Sequence, residues 1–179
     1  MGEKVMESLY PQYETNLGLP QSYAFPTDEL SSAKPVRRPV RSEDEAFEDL
    51  GLAYTKGETI LRMLESYAGP EAFQVAIRDY MQRFSRSNAT EHDLWSVVAE
   101  HADADIGAIA ARYLNQPGFP LVRVDAKGNI SQSRYHRLGR DLPAQQWIIP
   151  LSVKYKHDGV ITQTFTLLDK PTGTLDIPA

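Results

Sequence analysis

The side chains able to do chemistry are few. The histidines are His92, His101, His136 and His157, and no two of them lie three or four residues apart. A helix presents two imidazoles to one metal ion only at that spacing, so the chain has no helical metal pair and no His-Glu-x-x-His. His101-x-Asp103-x-Asp105 sets oxygen donors at alternate positions, in the manner of a calcium loop. The glycine and the closing glutamate of such a loop are missing, and the stretch reads as helix capping. The chain has no cysteine, which removes thiol nucleophiles, disulfides and cysteine-ligated zinc together. It has no Gly-x-Ser-x-Gly elbow, no phosphate-cradling glycine loop and no dinucleotide fingerprint. The basic run Lys34-Pro-Val-Arg-Arg-Pro-Val-Arg41 could contact a carboxylate or another anion; its plainer reading is an extended, solvated surface strap. The acidic run Ser42 to Asp49 could hold a metal; its plainer reading is a helix start, with Ser42 and Glu45 in capping-box spacing.

The elements that must position any site divide the chain in two. Residues 11–42 read as irregular, because Pro11, Pro20, Pro26, Pro35 and Pro39 interrupt every periodicity. Before them, Val5, Met6, Leu9 and Tyr10 have helical spacing with no N-cap ahead of them, like the last turns of a helix. From Tyr54 to Ala68 the apolar positions Ile60, Leu61, Met63, Leu64 and Tyr67 follow a 3.6 period. Gly69-Pro70 stops that helix and starts a second, with Phe73, Ile77, Tyr80, Met81 and Phe84 as its inner face. Ser85–Asn88 is a loop. Thr90 with Asp93 caps a third helix carrying Leu94, Trp95, Val98 and Ala102 inward. Asp105 caps a fourth carrying Ile106, Ile109, Ala110, Tyr113 and Leu114.

Past Gln116-Pro-Gly-Phe-Pro120 the period changes. Residues 121–124 and 130–135 read as strands around the turn Asp125-Ala-Lys-Gly-Asn129. Residues 147–155 and 160–168 read as two more, joined by the hairpin signal Lys156-His-Asp-Gly159. The expected organisation is α+β by segments, with an all-α part over 1–119 and an incomplete antiparallel β-sandwich over 120–179. About four strands in 60 residues fall short of the seven or so of an immunoglobulin-type sandwich, so both ends of the chain read as cut.

Composition narrows the function classes. Apolar residues make up 41% and charged residues 24%, an ordinary globular balance. The net charge of −5 lacks the positive field of a nucleic-acid binder and the basic face of a peripheral membrane protein. No apolar run is long enough to span a bilayer. The first ten residues lack the apolar core of a signal peptide. Compartment stays open between cytoplasm and periplasm.

One constellation carries more. The run Tyr54-Thr-Lys56-Gly57 resembles the Tyr-x-Lys-Gly-Ala segment of the aminopeptidase N-like zinc metallopeptidases, a branch of the gluzincins. In the same order, Gly69-Pro-Glu-Ala-Phe73 is similar to the family's Gly-Glu-x-x-Phe. Asn88-Ala89-Thr90 with Asp93-Leu94-Trp95 is similar to its Asn-Ala-Thr-x-x-Asp-Leu-Trp. Gln116-Pro-Gly-Phe-Pro120 is similar to the Gln-x-Gly-aromatic-Pro that closes the catalytic domain. Upstream, Asp28-Glu-Leu30, Ser31-Ser32 and Pro35-Val36 are similar to its Asp-x-Leu…Ser-Ser-His-Pro-Ile, with Lys34 where histidine is usual. Glu58 stands where the family has alanine.

The resemblance covers residues 1 to about 155. It implies the C-terminal half of a thermolysin-like catalytic domain followed by the first strands of a β-sandwich. The zinc-binding His-Glu-x-x-His and the third ligand, a glutamate, would then lie upstream, in a missing catalytic half. Zinc is implied for the intact parent and none for this chain. The implied substrate is a peptide with a free N-terminus. It also implies a role for Tyr54: its hydroxyl donates to the oxyanion formed when zinc-bound water attacks the scissile carbonyl. Phenols, with an ordinary pKa near 10, keep the proton needed for this at neutral pH. From spacing alone Tyr54 is a core tyrosine. Gly57 is expected to permit close helix approach, and Lys56 to be a helix-start surface charge or an internal ion pair. The alternative function is a non-catalytic helical scaffold or binding module of the same fold.

Overall fold

The change of period near residue 120 is a change of architecture. The computed structural model describes Leu9 and residues 20–48, 50–102, 104–136 and 143–177. Among these residues, helices run as α1 (Pro20–Asp28), α2 (Glu43–Phe47), α3 (Leu50–Ala68), α4 (Pro70–Arg83), α5 (Glu91–Ala102) and α6 (Ile106–Leu114). Strands follow as β1 (Pro120–Val124), β2 (Asn129–Arg134), β3 (Ile149–His157), β4 (Val160–Leu168) and β5 (Thr172–Thr174). The helical spacing read over residues 1–10 lies, Leu9 apart, outside the described residues.

The caps are where the side-chain chemistry demands them. The Ser42 hydroxyl accepts from the Glu45 amide at 3.2 Å and opens α2. The Asp93 carboxylate accepts the Thr90 amide at 2.7 Å, which closes the capping box of α5. The Asp105 carboxylate accepts the Ala108 amide at 2.9 Å and caps α6. These bonds satisfy amides that a helix start leaves without intrahelical partners. Removing the Asp105 cap by Asp105→Ala should cost about 1 kcal/mol, read as a lowered denaturation midpoint with an unchanged m value.

The irregular reading of residues 11–42 misses α1. Pro20 is the first residue of that helix, where a missing N–H removes nothing because no partner exists there. Pro26 lies inside it, the signal that most strongly argued against a helix. Helix α3 starts four residues earlier than its apolar period, at Leu50. Of the expected inner positions, Leu61 and Met81 are exposed, at 41% and 65%. The others are buried or packed against the core, with Leu64, Val98 and Ile106 wholly buried.

The β part is an incomplete sandwich. β1, β2 and β5 form one antiparallel sheet in the order β1-β2-β5, and β3 pairs antiparallel with β4 in register from Ile149↔Leu168 to His157↔Val160. The hairpin between β3 and β4 turns through Asp158 at φ 50° and Gly159 at φ 83°, the two left-handed positions of a type I′ turn. The short strand β5, with Gly173 at its centre, carries no alternation that a sequence could reveal. The buried Gln132 amide links the two sheets: it donates to the carbonyls of Trp147 (3.0 Å) and Lys170 (2.9 Å) and accepts the Trp147 amide (2.8 Å). Helical residues such as Leu64 and Tyr113 share one contiguous core with Ile130, Trp147 and Leu168 of the β part. No helix of the described residues is long and apolar enough to cross a membrane.

Candidate functional site

Helix α3 presents two opposite faces. Its buried row is Leu52, Lys56, Ile60 and Leu64, spaced by four, a stripe that packs inward. Tyr54 lies two residues before Lys56, about 200° around the helix. Its side chain is 72% exposed, on the side of the molecule that also exposes Leu50 and Leu61. Tyr54 is therefore not a core tyrosine of this chain, which corrects the reading from spacing. Gly57 serves no close helix approach among the described residues either: a Cβ built there meets none of them within 4 Å.

Lys56 interrupts the apolar row with a charge, and it is no surface residue. Its Nζ lies 2.8 Å from Oδ2 of Asp28 at the end of α1, and both side chains are almost wholly buried. Nζ also donates to the Gly118 carbonyl at 2.9 Å. The other Asp28 oxygen accepts the Gly118 amide at 2.8 Å. Three segments thus close on one another through a carboxylate, an ammonium and a single peptide unit on each side of Gly118. Burial holds the Lys56 ammonium below its ordinary pKa, and the field of Asp28 opposes that. Arg134 of β2 is a further buried cation whose field adds to the lowering. Its guanidinium donates to the Leu30 carbonyl at 2.9 Å, tying β2 to the segment after α1.

Gly118 has no substitute in this arrangement. Its φ is +81°, and a Cβ there would stand 2.5 Å from Nε of Arg134. Gly118→Ala combines left-handed strain with displacement of a buried guanidinium, and is expected to cost about 1–3 kcal/mol in a denaturant titration. The adjacent Phe119 ring stacks on Phe25 of α1 at 4.2 Å and on Tyr135 at 5.0 Å. The turn that closes the helical part is therefore gripped from both sides.

The other candidates have structural partners. Lys34 and Arg38 pair with Glu48, and Arg37 pairs with Glu91, so the basic strap is held down by the protein's own carboxylates. The Glu45 carboxylate accepts the Arg41 amide at 2.8 Å, and the acidic run is a helix start. His101 lies 2.9 Å from Asp79, whose carboxyl is held below its usual range by Arg83 and by His101. Asp105 is a cap, and Asp49 and Asp103 lie outside the described residues. Among the described residues, no three His, Asp or Glu side chains are grouped to hold a metal ion.

Asp28 entered the sequence reading only as the first residue of a motif, with no role assigned, and Arg134 did not enter it as a candidate. The one available signal was Lys56 itself, a charge in an i+4 row of aliphatic residues. Such a charge needs a buried partner, and nothing local supplies one.

A helical segment with an exposed tyrosine opposite a buried ion pair, leading into an incomplete sandwich, also has clear relatives. Residues 2–113 match the model of the Peptidase family M1 domain, and the chain belongs to that family. It is 34% identical over 184 residues to the leucyl aminopeptidase of Saccharolobus solfataricus, an alignment covering 98% of this chain and 22% of that protein. It is 29% identical over 186 residues to the probable aminopeptidase 2 of Sulfurisphaera tokodaii, covering 99% and 23%. It is 31% identical over 133 residues to aminopeptidase M1-A of Oryza sativa subsp. japonica, covering 72% and 15%. The chain spans about a fifth of the length of these curated relatives.

Proposed function

We propose that this chain is the part of a zinc-dependent aminopeptidase that supplies the transition-state donor Tyr54, and that the zinc ligands belong to another part of the enzyme. Residues 1–119 are the helical part of the catalytic domain in this reading, and residues 120–179 the start of an immunoglobulin-like sandwich. The substrate is a peptide with a free N-terminus.

The observation that carries the reading is the placement of Tyr54. A tyrosine 72% exposed on a helix fixed from its opposite side is open to a substrate or to another part of the enzyme, which supports the reading. The described residues do not fit a zinc ion. The histidines are apart in sequence, and the carboxylates of Glu48, Asp79 and Glu91 face cations. What this chain contributes is orientation and one proton donor. The phenol O–H points a partial positive charge at the oxygen of the scissile carbonyl as negative charge develops there. A fixed donor stabilises that charge more than it stabilises the uncharged substrate, which is the requirement for a rate effect.

The test compares the purified chain with the protein expressed from the full reading frame around it. The chain alone is expected to retain no stoichiometric zinc after dialysis and to leave an aminoacyl-anilide intact, because Tyr54 cannot activate water. The complete protein is expected to retain zinc and to hydrolyse the anilide. Retained zinc or turnover in the isolated chain would show that a site on this segment has been missed. A complete protein without peptidase activity would replace the catalytic reading with that of a scaffold.

A further inference from the structure

We infer that the buried Asp28–Lys56 pair, closed by the Gly118 peptide, is a positioning device that sets the rotation of α3 and thereby the aim of the Tyr54 hydroxyl. The inference rests on the catalytic reading of Tyr54.

Three features lead to it. First, stability does not explain the charge. Lys56 replaces an aliphatic residue in the row Leu52, Ile60, Leu64, and a buried ion pair is commonly no more stable than apolar side chains of similar volume. What a pair adds is direction, since the ammonium is satisfied at only one rotation and one height of α3 against α1. Second, apolar packing does not fill the seam beside the pair. A cavity of about 70 Å³ lies between α1 and α3 beside the pair, lined by Ala24, Thr59, Met63 and Phe119 among others. A helix bordered by empty space can turn or slide into it unless something else holds it. Third, the pair ties α3 to two other segments at once: Nζ binds Asp28 of α1 and the Gly118 carbonyl, and Asp28 binds the Gly118 amide. A rotation of α3 breaks both Nζ contacts together, while Asp28 and the Gly118 amide stay joined as the fixed partner. It also swings Tyr54 through an arc, because Tyr54 stands on the opposite side of the same turn.

The experiment is a cycle in the complete enzyme between Tyr54→Phe and Asp28→Leu/Lys56→Met, which removes both charges at nearly constant volume. In the native background Tyr54→Phe should lower kcat by roughly 10²–10³ with little change in KM. In the Leu/Met background the same change should cost less than about tenfold, because a misaimed hydroxyl has little left to lose; residues coupled in this way are non-additive on this scale. Asp28→Asn, which keeps the shape and weakens the pair, repeats the cycle should the double variant not fold, and a roughly threefold smaller Tyr54→Phe effect is expected there. An equal Tyr54→Phe cost in the altered and native backgrounds overturns the positioning role and leaves the catalytic one standing. No cost in the native background removes the catalytic reading itself.

Discussion

Tyr54→Phe is expected to lower kcat of the complete enzyme by roughly 10²–10³, the effect of deleting one oxyanion donor, or about 2.7–4 kcal/mol of transition-state stabilisation. KM should move little, because the bond strengthens as charge develops and contributes little to the bound substrate. The same substitution should leave the melting temperature of the 179-residue chain unchanged within what about 0.5 kcal/mol produces. That second expectation follows from the structure. A hydroxyl that satisfied a buried neighbour would cost about 1 kcal/mol when removed. With the side chain 72% exposed, no such neighbour is at stake. Steady-state kinetics on the enzyme and a melt on the chain therefore read separate properties. Near-native kcat in Tyr54→Phe would end the catalytic assignment, whatever the melt showed.

Why α4 to α6 were legible and α1 was not comes down to where the information sits. Phe73, Val98, Ile106 and Ile109 are buried at helical spacing, and Thr90, Asp93 and Asp105 make the hydrogen bonds that their types and positions require. Those helices are specified locally. Helix α1 has Pro20 and Pro26 within nine residues and almost no amphipathic pattern. It is held by what it meets: Ala24 and Asp28 face inward, and Phe25 stacks on Phe119, ninety-four positions along the chain. Strand β5 is likewise made by pairing with β2, through Asn129↔Thr174 and its neighbours. The site divides in the same way. Tyr54-Thr-Lys56-Gly57 could be read as a motif, but its division into one face that projects and one that anchors could not. Lys56 and Asp28 come together only through the packing of α1 on α3, and Gly118 joins them from beyond α6. Gly57, for which a packing role was expected, borders open space in the described residues.

The largest stability effect should come from breaking the buried pair on one side only. Lys56→Met removes an ammonium and leaves the Asp28 carboxylate 1% exposed, still accepting the Gly118 amide but without its cation. Single removal of one partner of a buried ion pair costs about 3–5 kcal/mol, because the remaining charge keeps its desolvation penalty. Arg134, the other buried cation near Lys56, offsets part of that, so the lower half of the range is expected. For a chain of this size each kcal/mol lowers Tm by about 2–4 °C, giving a drop of roughly 6–16 °C. Asp28→Leu/Lys56→Met should restore part of the lost stability, because neither charge of the pair is then buried alone, while the Gly118 amide and carbonyl lose their side-chain partners. Melts of the single and double variants at neutral pH decide the matter. A single variant as stable as wild type would show that solvent reaches the pair. A double variant as unstable as the single would show that Asp28, Lys56 and Gly118 hold the fold itself and not only the orientation of α3.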